Sequence, residues 1–287
     1  MNTSEILKKV RSIEIKTKKI TNNLFTGSYN SAFKGRGMIF SEVRKYVPGD
    51  DIRDIDWNVT AKLSEPHVKI FEEERDLNMM ILLDISGSNF FGSKNNLKKE
   101  KMIELCAVLS FSAIKNNDKV GIILFTDKIE LFIPPKKGKK HVLRIIRELI
   151  KFKPIQKKTN INQALTFLNN ILNKKSIVFI LSDFFDENYQ KSLNILSKKH
   201  DVVALRFYDN FEEKVKNIGF SLFSDLENNT KYWLDTSSKN VLSEIEKNYK
   251  KYTAYFKNSF LKSGASFVNL ECNEPYINKL LTFFKSR

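Results

Sequence analysis

Cysteine is nearly absent from this chain: Cys106 and Cys272 are the only two in 287 residues. Two distant thiols make no disulfide scaffold, and both are expected as buried free thiols. The three histidines, His67, His141 and His200, are scattered without zinc-type spacing to cysteine, so none is assigned to metal or catalysis. No apolar run approaches the length that crosses a bilayer, and the charged stretch from Met1 to Ile20 lacks the apolar core of a signal peptide. The expectation is a soluble, cytoplasmic protein with no membrane insertion. Two phosphate-binding signatures are incomplete as well. Gly87-Ser88-Asn89-Phe90-Phe91-Gly92-Ser93-Lys94 has no Lys-Ser/Thr pair, because Ser93 precedes Lys94 and Asn95 follows it. Gly35-Arg36-Gly37 lacks both a third glycine and a clear strand before it.

What the chain does have is a 41% hydrophobic content, enough for one large core with an extension. Its net charge of +16 raises the question of nucleic acid. The lysines are spread along the whole length, however. The one denser patch, Lys136-Lys137-Gly138-Lys139-Lys140, has no interleaved aromatics, so a solvated basic surface is the reading and no nucleic-acid partner is expected.

From Leu77 onward apolar runs of strand length alternate with helical patterns. Strands are expected at Met79–Leu83, Val120–Phe125, Ser176–Ser182, Val202–Phe207 and Ser266–Leu270. Helices are expected at about 98–116, 140–151, 164–172 and 189–199, with two more after a polar hairpin at about 220–234. Ile129–Ile133 follows its predecessor too closely for a helical crossover and reads as an antiparallel edge strand stopped by Pro134-Pro135. The fold class is therefore α/β, a doubly wound and mostly parallel sheet with one antiparallel edge strand. Ile6, Val10 and Ile13 have helical spacing, and the stretch from about 21 to 77 is mixed and turn-rich. The expected organisation is 1–76 as an irregular N-terminal extension packed on the main domain, followed by that domain at 77–287.

The residues that carry chemistry stand at strand ends. Asp84-Ile85-Ser86-Gly87-Ser88 lies directly behind one buried strand, Asp183 directly behind another, and Thr159 in a polar loop before a helix. Ligands in open parallel sheets gather at such carboxyl ends. The alternative is that Asp84 and Asp183 cap the helices that follow, with Ser86 and Ser88 as turn residues. The ordered set Asp84, Ser86, Ser88, Thr159 and Asp183 resembles the metal-ion-dependent adhesion site of von Willebrand factor A domains. That resemblance implies Mg²⁺ (or Mn²⁺) held by these oxygens, with an open position for an acidic residue of a partner. Hard ions suit such ligands, and neutral hydroxyls leave the ion electropositive.

Gly35 to Trp57 is dense in Gly, Asp, Arg and aromatics, and Pro48-Gly49 marks a turn within it. Locally, Asp50, Asp51, Arg53, Asp54 and Asp56 can supply caps and ion pairs. With Ala61-Lys62, Phe71–Asp76, Pro134–Gly138, Ser182–Phe184, His200–Val203 and Asn273–Tyr276, this stretch closely resembles the bacterial family known as domain of unknown function fifty-eight. The likeness covers nearly the whole chain and implies a von Willebrand A-like domain. It also implies an adaptor or co-chaperone, not an enzyme, that acts with a MoxR-type AAA+ ATPase in assembling or maturing other proteins. Arg44, Tyr46, Asp50, Asp51, Arg53, Asp56 and Trp57 are the candidate partner surface. Ile39 stands where that family usually has Glu, and Lys62 where it has Arg, which removes a bidentate donor. A metal-dependent phosphohydrolase is the enzymatic alternative, with Asp84 as nucleophile. The acid-base carboxylate expected two residues later is replaced by Ser86.

Overall fold

The computed structural model describes residues 38–73, 77–90, 98–213, 215–228 and 230–286. The expected amphipathic helix around Ile6, Val10 and Ile13 lies outside them. Two compact units are distinguished, residues 33–77 and the chain from Asn78 onward.

In the smaller unit, β1 (Met38–Lys45) pairs antiparallel with β2 (His67–Glu73), from Lys45 opposite His67 to Met38 opposite Glu73, with an irregularity between Phe40 and Glu42. The segment that reads as irregular is thus a ribbon with ordered connecting turns. A 3₁₀ turn at Ile52–Asp54 and helix α1 (Trp57–Leu63) join the two strands. Sequence reading misses the ribbon because its strands carry charges at Glu42, Arg44, Lys45 and Lys69 and show little alternation.

The larger unit is built on six strands. They are β3 (Asn78–Asp84), β4 (Lys119–Phe125), β5 (Ile129–Lys136), β6 (Ser176–Ser182), β7 (Asp201–Tyr208) and, after a separate hairpin of β8 (Phe220–Ser224) and β9 (Lys231–Asp235), β10 (Ser266–Glu271). The sheet order is β10-β7-β6-β3-β4-β5. All neighbours are parallel except β4 and β5, so the mostly parallel sheet with an antiparallel edge strand is as expected. One detail differs: β5 runs through Pro134 and Pro135 to Lys136, which lies opposite Val120. An edge strand has one hydrogen-bonding side without a partner, so the missing proline N–H groups need not break the ladder.

Parallel strands lined by helices on both faces are buried on both faces, which explains the uninterrupted run Met79 to Leu83, every member 2% exposed or less. Helices α2 (Lys98–Lys115) and α3 (Lys139–Lys151) pack on each other, as do α4 (Ile161–Ile171) and α5 (Gln190–Lys199). A short helix α6 (Asn210–Glu213) follows β7, while α7 (Lys239–Ser263) packs against α5 and α8 (Tyr276–Lys285) ends the fold. Met80, Leu82, Val178, Ile180 and Ala204 face a core closed by α4, α5 and by Phe256 and Phe260 of α7. On the other side Phe284 of α8 meets Phe179 of β6 edge to face at 6.4 Å. Cys106 and Cys272 are free and buried, as expected.

This order fixes where a ligand belongs. β3 is followed in sequence by β4 on one side and, after β5, by β6 on the other, so the winding reverses between β3 and β6. A crevice opens outside the carboxyl ends of the strands at such a reversal. Asp84 ends β3, and Asp183 directly follows β6.

Candidate functional site

Asp84 is 1% exposed and fixed by the turn it begins. The Ser86 amide donates to Asp84 Oδ1 at 2.9 Å, and the Ser182 hydroxyl, from the neighbouring strand end, donates to Asp84 Oδ2 at 2.6 Å. The Ser86 and Ser88 hydroxyl oxygens lie 3.1 Å apart. Asn89 Nδ2 donates to both the Asp84 carbonyl and Ser86 Oγ, each at 3.2 Å. Asn89 is itself 1% exposed, and its Oδ1 has no hydrogen-bond partner among the described residues. An orphaned buried acceptor beside two hydroxyls is an oxygen with room for one more contact.

Asp183 is 1% exposed and held differently. Lys98, fully buried at the start of α2, donates to Asp183 Oδ2 at 3.1 Å and to Glu212 Oε1 at 2.6 Å. Burial alone would drive this ammonium toward neutrality, but the charges of Asp183 and Glu212 outweigh it and hold Lys98 protonated. Arg206 adds a second cation behind the site, its Nε donating to the Asp183 carbonyl at 3.1 Å. The next residue, Phe184, has φ +59°, an unfavourable conformation for a bulky side chain. Its amide donates to Ser182 Oγ at 3.0 Å, and its ring is locked among Tyr189, Phe256 and Phe260. The core thus over-determines a strained residue at the strand end that carries Asp183.

Thr159 reaches the cluster through a partner the sequence did not reveal. Its hydroxyl donates to Glu227 Oε1 at 2.8 Å, and Glu227 belongs to the turn between β8 and β9. The Thr159 loop is tied to the β3 turn by the Gly87 amide, which donates to the Lys157 carbonyl at 2.7 Å. Burial, with the neighbouring Asp183 and Asp84 charges, pushes the Glu227 carboxyl up to about 7. Burial and the Asp183 charge likewise push Asp84 up to about 6. The five expected residues thus lie in one neighbourhood: Asp84, Ser86 and Ser88 through direct hydrogen bonds, Asp183 through its charge on Asp84 and the adjoining Ser182, and Thr159 by way of Glu227.

Among the described residues no group of three or more His, Cys, Asp or Glu side chains is arranged to hold a metal by those ligands alone. Any ion here would have to use the hydroxyls. On charge grounds the donors suit a hard cation: among the described residues Lys98 pairs with Asp183 and Glu212 and Arg206 reaches the Asp183 carbonyl, while Asp84 and Glu227 feel the Asp183 charge with hydroxyl and amide donors as their hydrogen-bond partners. Buried carboxylates in excess over cations cost folding energy unless protonated or neutralised. Ser88, Glu212 and Glu227 also line a cavity of about 530 Å³, together with Phe185, Tyr232 and Tyr249.

Lys98, Glu212, Ser182 and Glu227 were missed in sequence. One signal was present: Lys98 falls in helical register with Met102, Leu105, Cys106 and Leu109, all buried, which places a lysine on an apolar face. Nothing marks Glu227, one of two acids in a polar turn.

The candidate partner surface lies in the smaller unit, and its acids have local partners. Arg44 grips Asp50 with two nitrogens at 2.7 and 2.6 Å, and Asp50 also accepts from the Val47 amide at 2.9 Å. Asp51 accepts from the Arg53 amide at 3.0 Å, and Asp56 caps α1 through the amides of Asn58 and Val59. The Tyr46 amide donates to the Pro66 carbonyl at 2.9 Å, and Trp57 is 67% exposed.

A doubly wound α/β sheet with an Asp-x-Ser-x-Ser turn at its winding reversal defines the class, a von Willebrand A-like domain. The chain belongs to the family described as "Protein of unknown function DUF58", which matches residues 42–255. An uncharacterised protein of Mycobacterium tuberculosis is 22% identical over 283 residues, spanning 97% of this chain and 88% of that protein. Among solved structures the chain is similar to BatB of Bacteroides thetaiotaomicron, at 15% identity and TM-score 0.48 over 74% of this chain and 100% of that one. It is also similar to a von Willebrand factor type A protein from Catenulispora acidiphila, at 8% identity and TM-score 0.41 over 76% of this chain and 43% of that one. No helix among the described residues is long and apolar enough to cross a membrane.

Proposed function

We propose that the β3/β6 crevice is a divalent-cation-dependent docking site for an acidic residue of a partner protein, and that the chain works as an interaction module and not as an enzyme. Asp84, Ser86, Ser88, Thr159 and Asp183 would hold Mg²⁺ or Mn²⁺, which supplies the positive charge that a partner's carboxylate needs. The observation that carries this reading is, among the described residues, the surplus of buried carboxylate over cation around paired hydroxyls, beside an opening whose described lining includes Glu212, Asp225 and Glu227 and no lysine or arginine. An acidic partner would be repelled from such a wall without a cation, so docking should be strictly ion-dependent. The resemblance noted from sequence supports a MoxR-type AAA+ ATPase as the partner system, with this chain as its adaptor or co-chaperone. The exposed Trp57 and the Arg44, Tyr46, Asp50, Asp51, Arg53 and Asp56 segment would offer a second contact surface.

Calorimetric titration with Mg²⁺ is the test. Binding should be lost in Asp84→Ala and in the milder Ser88→Ala, with circular dichroism unchanged, and retention of the ion by both variants would reject the site. Co-purification of an AAA+ ATPase should require Mg²⁺ and fail with chelator. Lys98 beside the strand-end Asp183 favours one second reading, the phosphohydrolase. The 1% exposure of Asp84 and the hydrogen bonds on both its oxygens argue against a nucleophile. Turnover of p-nitrophenyl phosphate abolished by Asp84→Asn would reverse that choice.

A further inference from the structure

The tip of the β8–β9 hairpin is seated on the candidate site. A Cβ built on Gly87, between Ser86 and Ser88, would lie 2.2 Å from the Leu226 carbonyl oxygen and 2.6 Å from its carbon. That approach is possible only because position 87 has no side chain. The adjacent Glu227 is aimed by its own turn, in which Asp225 Oδ1 accepts from the Glu227 amide at 2.8 Å and from the Asn228 amide at 3.2 Å. Its carboxylate then accepts from Thr159 at 2.8 Å and lies within electrostatic reach of both Asp84 and Asp183. Carboxylates in one another's fields raise each other's proton affinity, and a cation among them would relieve the same repulsion that Lys98 relieves at Asp183. In the Gly87–Phe90 turn beneath the hairpin tip, the orphaned Asn89 Oδ1 is an unmet contact independent of these acids.

The hairpin that delivers Glu227 is a separate two-stranded sheet. Its outward residues include Phe220 and Trp233, stacked at 5.1 Å and 68% and 61% exposed. Two-stranded ribbons are marginal alone, so this one can leave its seat at a lower cost than any strand of the main sheet.

We propose that Glu227 is an additional ligand of the cation site, supplied by this chain, and that it stands in for the partner's carboxylate until a partner displaces the hairpin tip. The inference rests on the docking-site reading above. It gives the ion-loaded protein two forms, one closed by Glu227 and one completed by a partner's Asp or Glu, and it makes the hairpin the element that sets affinity for that partner.

The test uses Mn²⁺ with the full chain and with Glu227→Gln, which keeps the shape and can still accept from Thr159. Calorimetry gives the affinity, and water-proton relaxation counts the waters on the bound ion. Glu227→Gln should weaken Mn²⁺ binding by about ten-fold or more and add a water to the bound ion. Acetate, the simplest carboxylate, should then displace that water in the variant at concentrations that leave the parent protein unchanged. If the parent binds Mn²⁺ and Glu227→Gln matches it in affinity, water count and acetate response, Glu227 is not a ligand and this inference is overturned while the docking site stands. If the parent binds no Mn²⁺, the docking reading itself fails and this inference falls with it. Circular dichroism melts confirm that the variant is folded.

Discussion

Two acidic regions of this protein are chemically opposite. In the smaller unit Asp50, Asp51 and Asp56 stand close in sequence and at or near the surface, and each has a partner within six residues: a guanidinium, a backbone amide or a helix start. At the β3/β6 crevice, Asp84, Asp183 and Glu227 come from separate elements, are buried or half-buried, and press on one another. The first arrangement uses its charge locally to hold a turn in shape. The second carries charge that the fold does not fully compensate, and that is the property a cation site needs. Density of acid along the chain therefore says little about ligand binding; what the folded chain does with the charge says more.

The largest expected effect breaks the crevice side of this comparison. Lys98→Met removes the buried ammonium between Asp183 and Glu212 while keeping the stem volume, and should cost about 3–5 kcal/mol because two buried carboxylates lose their counter-charge. Urea denaturation at pH 7 in chelator measures it. A midpoint equal to the parent's would mean that Asp183 does not depend on the lysine.

The second effect concerns pH. Folded Asp84 is pushed up to about 6 from an ordinary value of 3.8, so between these values the folded state holds a proton that the unfolded chain releases. Stability in chelator is therefore fully present below about pH 4 as far as this group is concerned. It falls as pH rises through 6, by on the order of 2–3 kcal/mol for this wholly buried group. Glu227, raised to about 7, extends the same trend upward. Acid-stabilised residues are the reverse of Asp50, which its Arg44 partner holds below the usual carboxylate range. Melting curves of the parent and Asp84→Asn from pH 4 to 7 check the sign: the difference between them should change with pH, and a constant difference would remove the uncompensated charge from the account.

The same contrast explains what sequence could reveal. Strands β3 and β6 are legible because burial on both faces demands an unbroken apolar run, and an acid that ends such a run, as Asp84 and Asp183 do, is conspicuous. The alternation with helices then fixes the doubly wound sheet, and the direction of β5 follows from its short connection. The ribbon of β1 and β2 was not legible, since its strands lack clear alternation. Nor were Lys98, Glu212 and Glu227. Lys98 and Glu212 are separated by 114 residues and Thr159 and Glu227 by 68, so only the tertiary fold pairs them. Lys98 alone left a trace, a lysine on an apolar helical face.

The smallest effect sharpens the comparison from the side of local charge. Asp56 Oδ1 accepts from the amides of Asn58 at 3.0 Å and Val59 at 3.3 Å, which makes it the N-cap of α1, and the Lys69 ammonium lies 3.7 Å from its other oxygen. Asp56→Ala leaves those amides without the cap and should cost about 1 kcal/mol. Asp56→Asn keeps an acceptor oxygen in the same place and loses only the exposed ion pair, a type of contact of little worth. It should sit close to the parent in a urea titration that resolves the alanine variant. If the asparagine variant instead fell as far as the alanine one, net charge and not hydrogen bonding would be holding the segment. The Asp-rich turn would then resemble the crevice electrostatically, and the distinction between the two regions would fail.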